Sequence, residues 1–480
     1  MPDLGVSSKI TPVLKESSDT NFNFKLGLTY DDVLLVPKYS KIVSRKLISL
    51  KTNFSRNLKL NIPIVSANMD TVTEADMAIA IASAGGIGII HRFMDIDRQV
   101  EEVRKVKRSE NLVITDPITI SKEATLGDAL KIMKAGGTTG TPVCDEKGIL
   151  EGILTARDIR FKTDLNLLVK DLMTPRRKLT TAFKNIKQKE ALEILDKYKI
   201  EKLPLVDKKG RLVGLITSRD FFKVQERQNA SKDKKGRLLT GAAIGVKDGL
   251  ARTEKLLAVG VDVLVIDIAH GHHQQVLDLI KLLKRKFKGI ELVAGNVATG
   301  AAIKELAEAG VDAIKVGIGP GAACSTRIVA GAGVPQLTAV LECSTEAQKY
   351  NLPIIADGGI KNSGDLAKAI AAGAATAMIG SLFAGTKESP GEYFIENGAA
   401  FKIYRGLASR EASPDRGRAP EGISTKVAYK GELKNLLGMM VDGLQSGMSY
   451  TGADTIKEFW RKKEFVRITD AGMKESLPRP

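Results

Sequence analysis

A cysteine in a glycine-rich loop is the residue of this sequence best suited to covalent chemistry. Cys324 lies within Gly317-Ile318-Gly319-Pro320-Gly321-Ala322-Ala323-Cys324-Ser325-Thr326-Arg327 and is followed by two hydroxyl groups and a cation. Glycines free the backbone of such a loop, and a nearby cation or helix end can lower a thiol pKa. A lone cysteine is more often a small core residue, which is our interpretation of Cys144 and Cys343. The residues alone leave both interpretations open for Cys324.

Two glycine turns form a second group with chemical potential. Asp357-Gly358-Gly359 and Gly380-Ser381 each follow a short apolar run. Backbone N–H groups in such turns, together with a helix N-terminus, can cradle a phosphate. Asp357 could also accept hydrogen bonds from ribose hydroxyls. The alternative is that these glycines only end the strands.

The second half of the chain alternates apolar strands with amphipathic helices, which is typical of a parallel α/β fold. Each apolar run has Gly, Asp or Asn at or near its C-terminal end. The predicted elements are strands at Val261–Ile268, Leu292–Ala294, Ala313–Val316, Pro353–Ala356 and Ala377–Ile379, and helices at Gln274–Phe287, Ala301–Ala309 and Asp365–Ala372.

The candidate site residues follow the predicted strands, which favours a (β/α)8 TIM barrel, whose active site lies at that face. Upstream, Pro63–Asp70 has the same form. A doubly wound sheet would give a similar pattern. However, no Gly-x-Gly-x-x-Gly opens a helix after a strand, so a Rossmann site is not supported.

Two stretches of the first half repeat each other. Thr141-Pro142-Val143-Cys144-Asp145 and Gly152–Asp158 recur as Leu203-Pro204-Leu205-Val206-Asp207 and Gly214–Asp220. A tandem pair of this kind forms one module, because a single unit cannot bury its own apolar face. The pair resembles a CBS-domain pair, which implies adenine or guanine nucleotides as ligands. Asp158 and Asp220 would contact ribose, or they cap the helices that follow.

Length, composition and charge argue against a membrane, secreted or nucleic-acid-binding protein. The chain has 480 residues, 43% of them hydrophobic, enough for two or three domains. No apolar run reaches the roughly 18 residues of a membrane helix. The polar residues 1–23 do not resemble a secretory signal, and cysteines are few, so we expect a cytoplasmic protein. The net charge of +17 is dispersed and aromatics make up only 5%, which favours an anionic substrate over nucleic acid.

Four segments together resemble the IMP dehydrogenase / GMP reductase family. They are Ile64–Glu74, the Cys324 loop, Ile355–Ile360 and Ile379–Thr386. The likeness covers nearly the whole chain. It implies a TIM barrel with an inserted tandem CBS module: residues 1–112 begin the catalytic barrel, 113–225 form the regulatory CBS-domain pair, and 226–480 complete the barrel with the cysteine loop and a short flap.

The resemblance implies a role for each matching residue. Cys324 would attack C2 of a purine nucleoside monophosphate and form a covalent intermediate, while Thr326 would help to handle a proton. The nucleotide would be held, mostly at its ribose phosphate, by Ser66, Met69, Asp357, Gly358, Gly359, Gly380, Ser381, Tyr404, Gly406, Glu421 and Gly422.

The same resemblance implies a cofactor, NADPH or NAD, and a potassium ion. The cofactor would face Asp267, Asn296, Gly317 and Gly319. Potassium would bind backbone carbonyls of Gly317, Gly319 and Cys324. We interpret His270, His272 and His273 as loop structure rather than metal ligands. Family members form homotetramers through their barrels and sometimes octamers through CBS pairs.

The segment after Tyr404 separates the two activities of the family. A dehydrogenase hydrolyses the intermediate with an activated water, using a long flap that carries an Arg-Tyr pair. Here the flap is short and Gly417 stands where Tyr is expected, beside Arg416. A reductase instead releases ammonia and uses a Glu, for which Glu411 is displaced by one residue. The short flap favours a GMP reductase, with IMP dehydrogenase as the alternative and Arg416 as its base.

A third possibility is a nucleotide-binding regulator whose barrel is idle. Loss of the loop cysteine would indicate it, and Cys324 is present.

Overall fold

The fold is described here from a computed structural model. It describes residues 25–109, 113–114, 117–135, 138–218, 227–406, 408–409 and 420–478. The predictions for Asp220, Glu411 and Arg416 fall outside these residues.

Eight parallel strands close into a barrel in which each strand pairs with the next along the chain and the last pairs with the first. The predicted fold class, α/β with a (β/α)8 TIM barrel, is therefore confirmed. The barrel strands are β1 Ile64–Ser66, β2 Ile87–Ile90, β3 Thr240–Ile244, β4 Val263–Asp267, β5 Leu292–Val297, β6 Ala313–Val316, β7 Ile354–Asp357 and β8 Thr376–Ile379.

Helices follow the strands and cover the barrel. They are Ala75–Ala84, Ile96–Arg108, Gly249–Ala258, Gln274–Lys286, Gly300–Ala309, Thr326–Val329 with Gln336–Gln348, Ser363–Ala371, and Ser381–Ala384 with Leu433–Tyr450. Several begin at polar caps, as Asn362 does by accepting a hydrogen bond from Asp365 N. The apolar strands are buried on both faces, so one continuous core fills the barrel and the layer beneath the helices.

Short elements close the ends of the barrel unit. Val33–Leu35 pairs antiparallel with Phe465–Arg467, and Thr52–Asn53 pairs with Lys59–Leu60. A three-stranded antiparallel sheet follows β8 and leads into the site; its strands are Tyr393–Glu396, Ala399–Arg405 and Ser424–Ala428. The remaining helices of this part are the 3-10 turns Tyr30–Asp32 and Arg45–Leu47 and the α-helices Ile456–Lys462 and Asp470–Glu475.

The repeated stretches lie between β2 and β3 and form two separate small sheets. The first contains Gly140–Cys144, Leu150–Thr155 and Thr174–Pro175; the second contains Val113–Ile114, Ala182–Phe183, Lys202–Val206 and Leu212–Thr217. Their helices are Leu126–Ala135, Ala156–Ile159, Val169–Leu172 and Gln188–Lys197, with a 3-10 turn at Arg176–Lys178.

The two repeats contact each other symmetrically. Leu150 N donates to Gly210 O at 3.1 Å, and the equivalent Leu212 N donates to Gly148 O at 2.9 Å. Both glycines have positive φ, which suits the tight turn between the two central strands of each repeat. Each repeat has its own core, and Cys144, Leu150 and Val206 form a shared one. The repeats therefore pack as one unit, while its predicted bounds at 113 and 225 stay a prediction.

Asp158 is the third residue of the helix Ala156–Ile159 and bonds back to Thr155, the N-cap of that helix. Its Oδ2 accepts from Thr155 N at 2.8 Å and Thr155 Oγ1 at 2.7 Å, which is a capping box. Oδ1 lies 3.5 Å from Thr174 Oγ1. The predicted alternative, a cap for a following helix, therefore differs in detail: Asp158 completes the cap from within the helix, and Thr155 is the N-cap. The ribose contact stays a prediction.

The described residues contain no helix with the length and apolar character needed to cross a bilayer.

Candidate active site at the carboxyl ends of the barrel strands

A cleft of about 1650 Å³ opens at the carboxyl ends of the barrel strands. This is the face at which TIM barrels place their catalytic residues. The cleft brings together nearly all the residues that the sequence predicts: Met69, Asp267, Asn296, Gly317, Gly319, Cys324, Thr326, Asp357, Gly358, Gly359, Gly380, Ser381, Tyr404, Gly406, Glu421 and Gly422.

Among the described residues, Ser66 is the predicted site residue that does not line this cleft. It is wholly buried at the end of β1, where its hydroxyl accepts from Thr73 Oγ1 at 2.9 Å. The small cleft-facing residues after it, Ala67 and Asn68, contribute to the lining instead. The burial of Ser66 does not support its predicted contact with a nucleotide, which stays a prediction.

Cys324 is exposed, whereas Cys144 and Cys343 are buried, as predicted. Its Sγ lies 3.2 Å from Thr326 Oγ1, within hydrogen-bond distance for sulfur. A hydroxyl in that position can exchange a proton with the thiol or with a group leaving the attacked carbon. The pair places an exposed thiol and a hydroxyl next to each other at one edge of the cleft.

Two segments fix the cysteine loop. Ser325 N donates to Glu421 O at 2.9 Å, and Ile423 N donates to Ala323 O at 3.0 Å. On the other side, the Arg327 guanidinium donates to the carbonyls of Ile318 and Val334. Arg327 therefore braces the loop backbone, and the chain after residue 420 forms one wall beside Cys324.

Glycines let the neighbouring strand ends approach the loop. A Cβ on Gly317 would lie 2.1 Å from Asp357 O, and one on Gly406 would lie 2.6 Å from Ala323 O. Gly317 has φ +149° and Gly319 has φ +85°. The close approach of β6 and β7 thus depends on the absence of a side chain at Gly317.

Tyr404, Met69 and Gly380 meet at another part of the cleft. Tyr404 is 3% exposed, and its hydroxyl lies 3.8 Å from Met69 Sδ. A Cβ on Gly380 would come within 3.2 Å of both groups. Burial, followed by the charges of Asp357 and Cys324, raises the pKa of Tyr404 above its usual value. The phenol is therefore neutral and can donate a hydrogen bond to a ligand.

Asp357 and Asn296 are joined in the base of the cleft. Asn296 Nδ2 donates to Asp357 Oδ2 and to Gly317 O, both at 2.8 Å. The Gln336 amide donates to Val316 O at 2.9 Å and to Asp357 O at 3.2 Å. The ends of β5, β6 and β7 are thereby held in one arrangement around the start of the cysteine loop.

Sequence reasoning missed three polar residues here: Lys315, Arg92 and Gln336. Lys315 is 2% exposed, lies inside β6, and places Nζ 2.6 Å from Asp357 Oδ2 and 3.8 Å from Asp267 Oδ1. Arg92 follows β2, and its Nε lies 3.8 Å from Asp267 Oδ2. The available signal for Lys315 was a charge in the otherwise apolar run Ala313–Val316, which normally marks a paired or functional group.

The histidines after β4 behave as loop residues. His272 Nε2 lies 3.1 Å from Glu305 Oε2, and His273 Nδ1 accepts from Gln275 N at 3.2 Å, at the start of a helix. Among the residues that the structure describes, no group of His, Cys, Asp and Glu side chains could hold a metal ion.

Comparison with known proteins adds an independent result. Residues 27–479 match the family model described as IMP dehydrogenase / GMP reductase domain. The chain is 50% identical over 466 residues to inosine-5'-monophosphate dehydrogenase of Halalkalibacterium halodurans, covering 95% of this chain and 96% of that protein. It is also 50% identical over 467 residues to the Aquifex aeolicus protein of the same name, covering 94% and 95%.

Solved structures give a second kind of relative. A GMP reductase variant from Trypanosoma brucei, in complex with guanosine 5'-monophosphate, superposes with a TM-score of 0.86 at 42% identity, covering 95% of this chain and 98% of that one. GMP reductase from Trypanosoma brucei in complex with guanosine 5'-triphosphate has a TM-score of 0.78 at 40% identity, covering 93% and 99%.

Proposed function

The chain belongs to the IMP dehydrogenase / GMP reductase family of NAD(P)-dependent oxidoreductases, and on that premise we propose that it is a GMP reductase. It converts GMP and NADPH into IMP, ammonia and NADP⁺ through a covalent bond between Cys324 and C2 of the purine. An exposed Cys324 with Thr326 Oγ1 at 3.2 Å, at the edge of a cleft formed by the barrel strand ends, supports the covalent step. The observation that carries the choice of a reductase is the short connection from Ser409 to Pro420.

The chemistry proceeds in two steps. The Cys324 thiolate bonds to C2, and the exocyclic amine leaves C2 with its bonding electrons and a proton, as ammonia. Asp267 and Asn296 would hold a nicotinamide cofactor, which when bound would supply the hydride; C2 takes up that hydride as the C2–S bond breaks, and the thiolate and IMP are released. Thr326 lies close enough to Cys324 to pass the proton that the departing amine requires.

The rest of the cleft suits a purine nucleoside monophosphate. The Gly358-Gly359 and Gly380-Ser381 turns supply backbone N–H groups for the phosphate. Asp357 keeps one carboxylate oxygen for ribose hydroxyls, because Asn296 and Lys315 both bind Oδ2. The neutral Tyr404 phenol and Met69 contact the nucleotide from the side of β1.

Two observations support the reductase over the dehydrogenase. Only ten residues, Arg410–Ala419, connect Ser409 to Pro420, and the sequence Asp415-Arg416-Gly417 lacks the tyrosine of a dehydrogenase flap. The superposed Trypanosoma brucei GMP reductase carries guanosine 5'-monophosphate. In this proposal Glu411 activates Thr326 for the release of ammonia.

IMP dehydrogenase is the second candidate, supported by relatives of that name at 50% identity over nearly the whole chain. In that reaction Cys324 adds to C2 of IMP, and the C2 hydride passes to NAD⁺. Water then displaces the thiolate and gives XMP, with Arg416 as the base that removes the proton from water.

A turnover assay with each nucleotide tests the proposal. We expect purified protein to oxidise NADPH in the presence of GMP, with IMP and ammonia formed in equal amounts. Formation of XMP and NADH from IMP and NAD⁺, without reaction of GMP, would assign the chain to the dehydrogenases instead. Absence of both reactions in folded protein would favour a nucleotide-binding regulator with an idle barrel.

The cofactor and potassium are assigned to the base of the cleft. Asp267, Asn296, Gly317 and Gly319 hold the dinucleotide, in keeping with their position along its lining. The carbonyls of Gly317, Gly319 and Cys324 would hold potassium, whose charge would stabilise the loop. Carbonyl oxygens suit this cation, and the glycines at 317 and 319 have positive φ, which lets a loop turn its carbonyls inward.

We propose that the repeat pair is a CBS-domain pair that binds adenine or guanine nucleotides, and that the protein is a homotetramer through its barrels or an octamer through its repeat pairs. The symmetric packing of the two repeats supports a shared ligand site, and the relative in complex with guanosine 5'-triphosphate makes GTP a ligand to test. Titration of the full chain with ATP and GTP, combined with light scattering, measures both affinity and assembly.

A further inference from the structure

We propose that Lys315 is a positioning residue that joins the nucleotide side of the cleft to the cofactor side and sets the start of the cysteine loop. The inference rests on the proposed function for the identity of the two ligands. It adds to that function a residue with no assigned role in the reaction.

Lys315 bonds to residues of both sides at once. It lies on β6, and its side chain is 3% exposed. Nζ donates to Asp357 Oδ2 at 2.6 Å on β7 and to Asn296 Oδ1 on β5, and lies 3.8 Å from Asp267 Oδ1 on β4. One ammonium group thus contacts the carboxylate assigned to the nucleotide ribose and two residues assigned to the cofactor.

The ammonium is retained despite its burial. Burial acts to lower the pKa of Lys315, but the charges of Asp357 and Asp267 and their hydrogen bonds outweigh it, so the pKa lies above its usual value. Removing one partner of a buried charge group leaves the others uncompensated. Without Lys315, two carboxylates would face a cleft that must receive anionic phosphates.

The contact with Asn296 extends the effect to the catalytic loop. Because Lys315 donates to Asn296 Oδ1, the Asn296 amide must turn its Nδ2 toward Asp357 Oδ2 and Gly317 O. Gly317 opens the loop that ends at Cys324. Through the Asn296 amide, Lys315 therefore fixes the position of the Gly317 carbonyl, where the cysteine loop begins.

Substitution of Lys315 tests this inference against a matched control. Lys107 is equally buried, at 3% side-chain exposure, and pairs with Asp233 and Asp262, the latter just before the amino end of β4. Lys315→Met and Lys107→Met both remove a buried ammonium, so both should lower thermal stability. Lys315→Met alone should raise KM for GMP and for NADPH by about tenfold or more each and lower kcat as well.

Two further variants separate positioning from a structural role. Lys315→Arg keeps the charge and should recover most of the loss in both KM values. Lys315→Gln keeps a donor without the charge and should recover less; it also replaces Lys315→Met should the latter not fold. Circular dichroism of each variant establishes the folded fraction before kinetics are compared.

The outcomes distinguish this inference from the proposed function. If the wild type converts GMP but Lys315→Met changes both KM values no more than Lys107→Met does, Lys315 has no positioning role. If the wild type converts neither GMP nor IMP, the proposed function fails. Calorimetric binding of GMP and of NADPH then tests Lys315: equal affinities in wild type and Lys315→Met overturn the inference, and weakened binding of both supports it.

Discussion

Asn296 Nδ2 donates to Asp357 Oδ2 at 2.8 Å and so connects the ends of β5 and β7 across β6. These residues are 61 positions apart in the chain. One is assigned to the cofactor and the other to the nucleotide. Hydride transfer needs the two ligands in contact, and a direct hydrogen bond between their binding residues fixes the relative position of the two sites.

The first prediction concerns the nucleophile. Cys324→Ala should reduce kcat by about a thousandfold or more, because the covalent bond to C2 cannot form. GMP binding should persist, since the other residues that line the cleft are unchanged. Stopped assays of IMP formation, with calorimetry for GMP, measure the two effects.

Cys144→Ala is the matched control for this substitution. Cys144 is 8% exposed and packs between the repeats, so its variant should retain turnover and lose only some stability. Unchanged turnover in Cys324→Ala would refute the nucleophile assignment.

The second prediction is that alkylation distinguishes the three cysteines. Burial, followed by the charge of Asp145, raises the pKa of Cys144 to about 11. Burial, followed by Glu342, raises that of Cys343 to about 12. Below these pKa values both thiols stay protonated and unreactive, whereas Cys324 is exposed.

Iodoacetamide at pH 8 should therefore modify Cys324 first, as peptide mass spectrometry would detect, and GMP should slow the reaction. Equal labelling of Cys343 in folded protein would contradict the buried position of that thiol.

The sequence predicts the barrel well because the information for it is local. The run Ala313–Val316 matches β6 residue for residue, and Pro353–Ala356 differs from β7 by one position at each end. Apolar runs ending in Gly or Asp identify both the strand and the face at which it ends. The sequence likewise predicts the cysteine loop and the glycine turns after β7 and β8, because each directly follows an apolar run.

The contacts between strands could not be predicted in this way. The contacts of Lys315 join three different strands, since Lys315 lies on β6, Asp267 on β4 and Asp357 on β7. The local sequence around each residue does not predict these contacts. The family resemblance predicts that Ser66 contacts the nucleotide, yet its hydroxyl turns into the barrel wall toward Thr73. At the end of a short strand, the geometry of the closed barrel determines which side chains face the cleft. The local sequence of apolar residues does not determine it.

The third prediction concerns the contact between β6 and β7. Gly317→Ala places a Cβ 2.1 Å from Asp357 O, so the strand ends must separate. We expect a loss of about 3 kcal/mol or more in the free energy of unfolding, and loss of turnover. Urea denaturation and the GMP assay measure the two.

Gly398→Ala provides the comparison at another glycine of positive φ. Gly398 has φ +77° in a hairpin turn with open space around it, so the cost is backbone strain alone, about 1 kcal/mol. Its turnover should be unchanged. Similar losses for the two variants would mean that φ, and not the approach of Asp357, makes glycine necessary at 317.

The fourth prediction concerns the cap in the first repeat. Asp158→Ala removes the acceptor for Thr155 N and Thr155 Oγ1 and should lower the stability of the repeat pair by about 1 kcal/mol. Asp196→Ala removes an exposed carboxylate that pairs with Lys199 on the surface and should cost less than about 0.5 kcal/mol. Thermal unfolding compares them, and an equal effect would show that the capping box adds nothing.

The fifth prediction separates the two reactions of the family by the residues of segment 410–419. In a reductase, Glu411 activates Thr326 and no water need be deprotonated, so Glu411→Gln should lower the rate of ammonia release by about a hundredfold. Arg416→Ala should change the rate of ammonia release by less than about threefold, because no step uses that guanidinium as a base.

Thr326→Val should lower this rate as much as Glu411→Gln does. The double variant should be no slower than either single variant, since the effects of residues that act as a unit are not additive. The reverse pattern, with Arg416→Ala slow and Glu411→Gln unaffected, would identify water as the partner of the intermediate on Cys324. The rate of each variant is measured with GMP and NADPH and, separately, with IMP and NAD⁺, so the substitution that matters and the nucleotide that reacts must agree.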